Sequence, residues 1–196
     1  AEVTTKPAAV NVEKRDNGEL ILTCPYPPAP LSRSMAHVLI ETAEKYPDRT
    51  LLAEKSSTGE WQQLTYAEAE KGARHVAQWL IFQGASAEKP LAILSGSSIR
   101  HFLMAWGAIF ARVPFVPVSL AYSTIPGARP KLEAALKKVQ PSFIFAENLD
   151  KHLPALSAID FDLSGKTIVS ASKNTDLSVV PWENVISTEP TAAVDE

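Results

Sequence analysis

Apolar and polar positions along this 196-residue chain change period several times, and each change marks an element. Glu19–Thr23 (ELILT) is a short apolar run that predicts a strand after a polar, poorly ordered arm over residues 1–18. Pro25 to Pro30 reads as an extended linker, because proline fixes φ and restricts the residue before it. After Ser34, a candidate cap, Met35, Val38, Leu39, Thr42 and Tyr46 recur at helical spacing. Thr50–Glu54 and Trp61–Leu64 flank Ser56-Ser57-Thr58-Gly59 as the arms of a hairpin. Thr65-Tyr66-Ala67-Glu68 has the spacing of a capping box, and the helix behind it places Tyr66, Ala69, Ala73, Val76, Ala77 and Leu80 on one face. Gly84 supplies a stop.

From Leu91 the pattern alternates strand and helix. Leu91–Leu94 is wholly apolar, as a strand covered on both faces should be. Ser97 or Ser98 caps the next helix, IRHFLMAWGAIFA, which is apolar nearly all round; Trp106 in its middle is expected to be buried. Phe115–Val118 is the following strand, and Pro117 argues against a central place for it. Pro130–Gln140 carries Leu132, Ala135, Leu136 and Val139 on one face. Phe143–Phe145, a helix around Asn148–Ser157, and Thr167–Val169 continue the alternation; Pro181–Ile186 reads as a last short helix before a disordered tail. Short connections between alternating elements imply an α/β fold with an open, mostly parallel, doubly wound sheet in three αβα layers, plus a small N-terminal β-hairpin region. The expected organisation is an arm and linker over 1–30, an α/β subdomain over 31–188, and a tail over 189–196.

Composition narrows the partners. Apolar residues make up 45% and charged residues 21%, ordinary for a globular chain, and a net charge of −3 gives no footprint for nucleic acid. No apolar run reaches the length of a membrane span, and the first twenty residues lack the apolar stretch of a secretory signal, so a cytoplasmic setting is expected. Cys24 is the single cysteine, which excludes an intrachain disulfide and a cysteine metal cluster. His37, His75, His101 and His152 have no ligand spacing, so no metal site is expected; His101, in the first turn of a helix, should be neutral and hydrogen-bonded.

Few residues suggest chemistry. Ser123 to Lys131 follows a strand and precedes a helix, yet it holds one glycine and two prolines where a phosphate cradle needs consecutive amides, so it reads as a plain connection. Ser95-Gly96-Ser97-Ser98 lacks the flanking glycines of a nucleophile elbow. Glu41 with Glu44 and Glu68 with Glu70 sit on solvated helix faces and make no acid–base pair. No catalytic residue is assigned. Ser119–Ser123 leaves the carboxyl end of a strand, where open α/β sheets bind ligands, and Tyr122 is the candidate cofactor contact there.

The run GEWQQLTYAEAEKGARHVAQWL resembles the first helix region of AMP-forming acid–CoA ligases, the adenylate-forming family, and LAILSGSSIRHFLMAWGAIFARVPFVPVSLAYS resembles the block that follows it there. The phrases PYPPAPLSRS, ILSGSSIRH and PVSLAYS look most like the feruloyl-CoA synthase branch. Ser97 stands where many relatives have asparagine, Leu120 where many have proline, and Ala121 and Tyr122 where some place a basic residue toward CoA. The resemblance implies a parent enzyme that uses ATP, Mg2+ and CoA to convert an aromatic acid to its thioester through an acyl-adenylate. The family's phosphate-binding loop is not in the sequence, and TEPTAAVDE resembles the approach to it, so the chain is expected to be an N-terminal scaffold binding no cofactor alone. Its expected partners are the remainder of its own polypeptide and, through an apolar face left bare on the sheet, further copies of itself. Two alternatives are a free-standing nucleotide- or CoA-binding module and a degenerate, non-catalytic partner protein.

Overall fold

The computed structural model describes residues 7–27, 33–172 and 178–195. Residues 1–6 of the expected arm, 28–30 of the expected linker and Glu196 of the expected tail lie outside the described residues. The chain forms two compact units, 1–34 and 35–196.

In the first unit β1 (Asn11–Lys14) pairs antiparallel with β2 (Leu20–Thr23). The arm is therefore partly a strand, against expectation. Its signal was the Asp16-Asn17-Gly18 turn between alternating Val10, Val12 and Leu20, Leu22, with Gly18 at φ +88° where a side chain would be strained. Tyr26 donates its hydroxyl to the Pro7 carbonyl at 2.8 Å and closes the open end of the ribbon.

The second unit is built on a five-stranded sheet, ordered β6-β5-β7-β8-β9 and parallel throughout. Its strands are β5 (Leu91–Ile93), β6 (Phe115–Pro117), β7 (Phe143–Phe145), β8 (Thr167–Ser170) and β9 (Val179–Pro181). β6 is an edge strand, as Pro117 requires. β9 carries too little apolar sequence before Pro181 to announce itself, and it forms the other edge.

Strand alternation sorts the core into two clusters. Leu91, Ile93, Phe143, Phe145 and Val169 face α1 (Met35–Lys45), α2 (Tyr66–Phe82), α3 (Ile99–Phe110) and α7 (Trp182–Ile186). Ala92, Leu94, Ile144, Ala146 and Ile168 face α5 (Arg129–Val139) and α6 (Leu149–Leu156), with Tyr122 of α4 (Leu120–Thr124) at the margin. Both faces of the sheet are thus covered by the chain's own helices. Among the described residues α2 and α3 cover one side of the sheet and α5 and α6 the other, so the bare sheet face expected to drive self-association is not found there.

Local chemistry fixes the helix ends. Thr65 Oγ1 accepts from Glu68 N while Glu68 Oε2 accepts from Thr65 N at 2.8 Å, the reciprocal box read from the sequence. A second hairpin, β3 (Thr50–Lys55) with β4 (Trp61–Thr65), runs into α2 and buries Leu64.

Three expectations need correction. On α1 the inward residues are Leu39 and Ala43; Met35, Val38 and Tyr46 are exposed, because α2 packs one step round the helix from the face the spacing suggested. Trp106 is only half-buried, packed on Phe102 with ring centroids 5.4 Å apart, because α3 buries Leu103, Met104 and Gly107 instead. The tail is ordered through Asp195. Gln78 Oε1 accepts from Thr191 N at 2.6 Å, Arg74 pairs with Asp195 at 2.6 Å, and Val194 is buried.

Candidate functional site

Strand order locates the place where an open parallel sheet binds ligands. The chain leaves β5 for β6 on one side and then returns past β5 to β7, so the connections diverge between β5 and β7. Crevices form outside the carboxyl ends of such a strand pair. Here they are bounded by Ser95–Ser98 after β5 and by Glu147 and Asn148 after β7.

The groups at this point are already engaged. Ser98, in extended conformation, accepts from His101 N at 3.1 Å, and its carbonyl accepts from Phe102 N. The Ile99 amide donates to Glu54 Oε2 at 3.0 Å, so a carboxylate from β3 sits where an anion would meet the start of α3. Arg100 reaches across the divide to Glu147 at 3.2 Å. His101 Nδ1 lies 3.0 Å from the Gly96 carbonyl, which can only accept, so Nδ1 carries a proton. That is the hydrogen-bonded histidine the sequence suggested. Behind β7, Leu149 N donates to Ser172 Oγ at 3.0 Å, and Ser170 Oγ donates to the Glu147 carbonyl. An apolar cavity of about 310 Å³ opens beside the start of α3, lined by Leu52, Glu54, Phe102 and Trp106 among others.

Tyr122 lies elsewhere. Ser119–Ser123 is not a loop: Leu120–Thr124 is a short helix at the carboxyl end of β6, one strand from the point of divergence. Tyr122 is half-buried against the second core cluster, with Lys131 Nζ 5.8 Å from its ring centroid. Its neighbour Ser123 is buried and lies 2.7 Å from His152 Nδ1. Because the Ser123 hydroxyl donates to the Leu120 carbonyl, it accepts from His152. Burial, assisted by Lys151, holds the His152 pKa below the usual imidazole range. The Ser123–Lys131 stretch contains a 3-10 turn over Pro126–Ala128 and leads into α5 with Pro130 in its first turn.

Among the described residues no group of three or more His, Cys, Asp or Glu could hold a metal ion, and no helix is long and apolar enough to cross a membrane. Sequence reasoning applied the strand-end rule to β6, whereas the strand order places the divergence between β5 and β7. Which strands are neighbours is a long-range fact, whereas β6 advertised itself through a long, tyrosine-bearing connection.

A parallel layer with helices on both faces and small antiparallel ribbons attached is the architecture of the N-terminal domain of adenylate-forming enzymes. Residues 39–194 match the AMP-binding enzyme family, and the chain belongs to that family. In fold it is similar to a benzoate CoA ligase from Burkholderia xenovorans, at 20% identity and TM-score 0.61, covering 80% of this chain and 29% of that one. It is similar also to a luciferase-like enzyme from the nonluminescent mealworm Zophobas morio, at 17% identity and TM-score 0.65, covering 91% and 38%. An acyl-CoA synthetase from Brucella canis matches at 16% identity and TM-score 0.62, covering 78% and 28%. The chain therefore spans less than two fifths of the length of these solved relatives. No curated protein sequence matches it significantly.

Proposed function

We propose that this chain is the amino-terminal portion of an ATP-dependent, AMP-forming ligase, and that the segment itself is a scaffold. In this reading the whole enzyme, cytoplasmic in setting, activates an aromatic, ferulate-like acid as its acyl-adenylate and transfers the acyl group to CoA. ATP, Mg2+ and CoA belong to that whole enzyme. The residues described here do not fit a nucleoside triphosphate with its metal. The start of α3 is filled by Ser98 and Glu54, and the turn before α5 has prolines at 126 and 130 where amides would be needed.

The observation that carries the reading is the engagement of Glu54 at the start of α3, in a chain whose family match runs through most of its length. A stand-alone nucleotide-binding module would keep that helix start open for phosphate. Of the residues on this chain, we assign Tyr122, backed by Lys131, to face a ligand of the complete enzyme.

The test is acid-dependent ATP–pyrophosphate exchange. The purified 196-residue chain should give none, and a longer polypeptide that includes it should give exchange with ferulate above that with aliphatic acids. Exchange by the chain alone, or saturable nucleotide binding to it, would overturn the scaffold reading. Equal exchange with aliphatic acids would overturn the aromatic one. In the longer enzyme, Tyr122→Ala should raise KM for CoA or ATP by more than the partial loss of packing of its half-buried ring would explain.

A further inference from the structure

The carboxylate that closes the start of α3 to anions turns the cavity beside it into a place for a cation. On β3, Leu52 and Glu54 are two residues apart and project to one side, toward α3. On α3, Ile99, Phe102 and Trp106 follow at helical spacing and form a stripe opposite them, while Leu103, Met104 and Gly107 turn into the core. The two stripes stand apart and leave the cavity of about 310 Å³ between them. That size is at the lower end of small-molecule sites and gives room for one ring and a short chain.

Among the described residues no basic side chain neutralises Glu54. Its Oε2 accepts from the Ile99 amide at 3.0 Å, and its Oε1 takes no hydrogen bond there. Of the cations next to these stripes in sequence, Lys55 lies over the Trp61 ring at 5.4 Å and Arg100 pairs with Glu147. His101, also on the wall, donates Nδ1–H to Gly96, so the neutral ring has an acceptor left to offer, Nε2. The fixed polar groups are therefore acceptors, one of them charged. The apolar wall carries two half-buried aromatic rings packed on each other at 5.4 Å. An ammonium group has three donors and no acceptor, and aromatic faces attract it as well.

We propose that this cavity binds a small arylalkylammonium ion, with the ammonium at Glu54 Oε1 and the ring against Phe102 and Trp106. The site lies apart from Tyr122 and takes a cation, whereas carboxylic acids, ATP and CoA are anions. It stands or falls separately from any ligase activity.

The probe is 2-phenylethylammonium, titrated by calorimetry into the 196-residue chain and into a longer polypeptide that includes it. Both should bind one equivalent with a Kd of about 1 mM, ordinary for a ligand of this size. Phenylacetate and 2-phenylethanol keep the ring and reverse or remove the charge, and each should bind about ten-fold more weakly or worse. Glu54→Gln keeps an oxygen for the Ile99 amide and should bring the ammonium ion down to the level of the alcohol. Absence of saturable binding to the unmodified chain overturns the proposal, and that result depends on no variant folding. So does equal affinity for the alcohol, which would make the cavity a plain apolar slot, or ammonium binding that survives Glu54→Gln unchanged. Binding to the chain but not to the longer polypeptide overturns it too, since the cavity would then be filled by the protein's own residues.

Discussion

On the first face of the sheet Phe143 meets Trp79 edge-on at 6.1 Å and Phe145 meets Trp182 at 5.6 Å. On the second, the same strand turns Ile144 toward the leucines of α5 and α6. The first face is aromatic and is sealed by two helices that nearly touch: a Cβ on Gly107 of α3 would stand 2.3 Å from Val76 Cγ1 and 3.2 Å from the Ala73 carbonyl of α2. The second face is aliphatic and holds a polar clip, Ser123 with His152, near its rim. One alternation in sequence thus yields one face that should resist changes of volume and one that should respond to charge.

The largest effect separates the faces within a single strand. Phe145→Ala removes a fully buried ring and should cost about 3–5 kcal/mol, whereas Ile144→Val should cost about 0.5–1.5 kcal/mol. Urea midpoints for the two variants measure both, and equal midpoints would erase the distinction. Next comes overpacking. Gly107→Ala meets Val76 near its backbone root and should cost about 2 kcal/mol. Gly72→Ala, whose nearest neighbours are the Leu103 methyl groups at 2.8 and 3.2 Å, should cost visibly less, because a side-chain tip can turn aside. A Gly72 variant as damaged as the Gly107 variant would place the rigidity in Leu103 and not in the helix crossing.

Trp106→Ala lies lower on the scale. Complete burial, as the apolar sequence of α3 suggested, would imply about 3–5 kcal/mol. With one flank of the ring in the open cavity beside Phe102 and Leu52, about 1–2 kcal/mol is expected from the smaller area removed from water. A loss as large as that of Phe145→Ala would mean the cavity closes in solution.

Much of this architecture was legible along the chain because its causes are local. The Thr65–Glu68 box, the Ser98 cap and the edge position forced by Pro117 depend on neighbours a few residues away. The misses depend on distant partners. The orientation of α1 depends on α2, the order of the tail depends on Arg74 and Gln78, and the half-exposure of Trp106 depends on where α2 crosses α3. The candidate site follows the same rule. Ser97, Ser98 and His101 could be read as a helix start, but Glu54 at that start is 45 residues upstream of Ile99 and joins it only through the packing of β3 on α3. The strand order that fixes the crevice between β5 and β7 is likewise invisible to periodicity.

The smallest expected effect concerns charge on the second face. His152 is buried, donates Nδ1–H to Ser123, and has a pKa held below its unfolded value of about 6.5 by burial and by Lys151. A depressed histidine binds more protons unfolded than folded in the window below that value, so stability should rise with pH there. It is complete above about pH 6.5 and falls as the pH descends toward the folded pKa, where the imidazole must charge among the leucines of α5 and α6. Carboxylates titrate in the lower part of the same range, so the slope of the urea midpoint against pH is compared between the chain and His152→Gln. The variant should be less stable at pH 7.5, because it loses a fitted ring, yet should lose less on going to pH 5.5. Parallel slopes would mean that the imidazole reaches water when it charges, and the second face would then be no more sensitive to charge than the first.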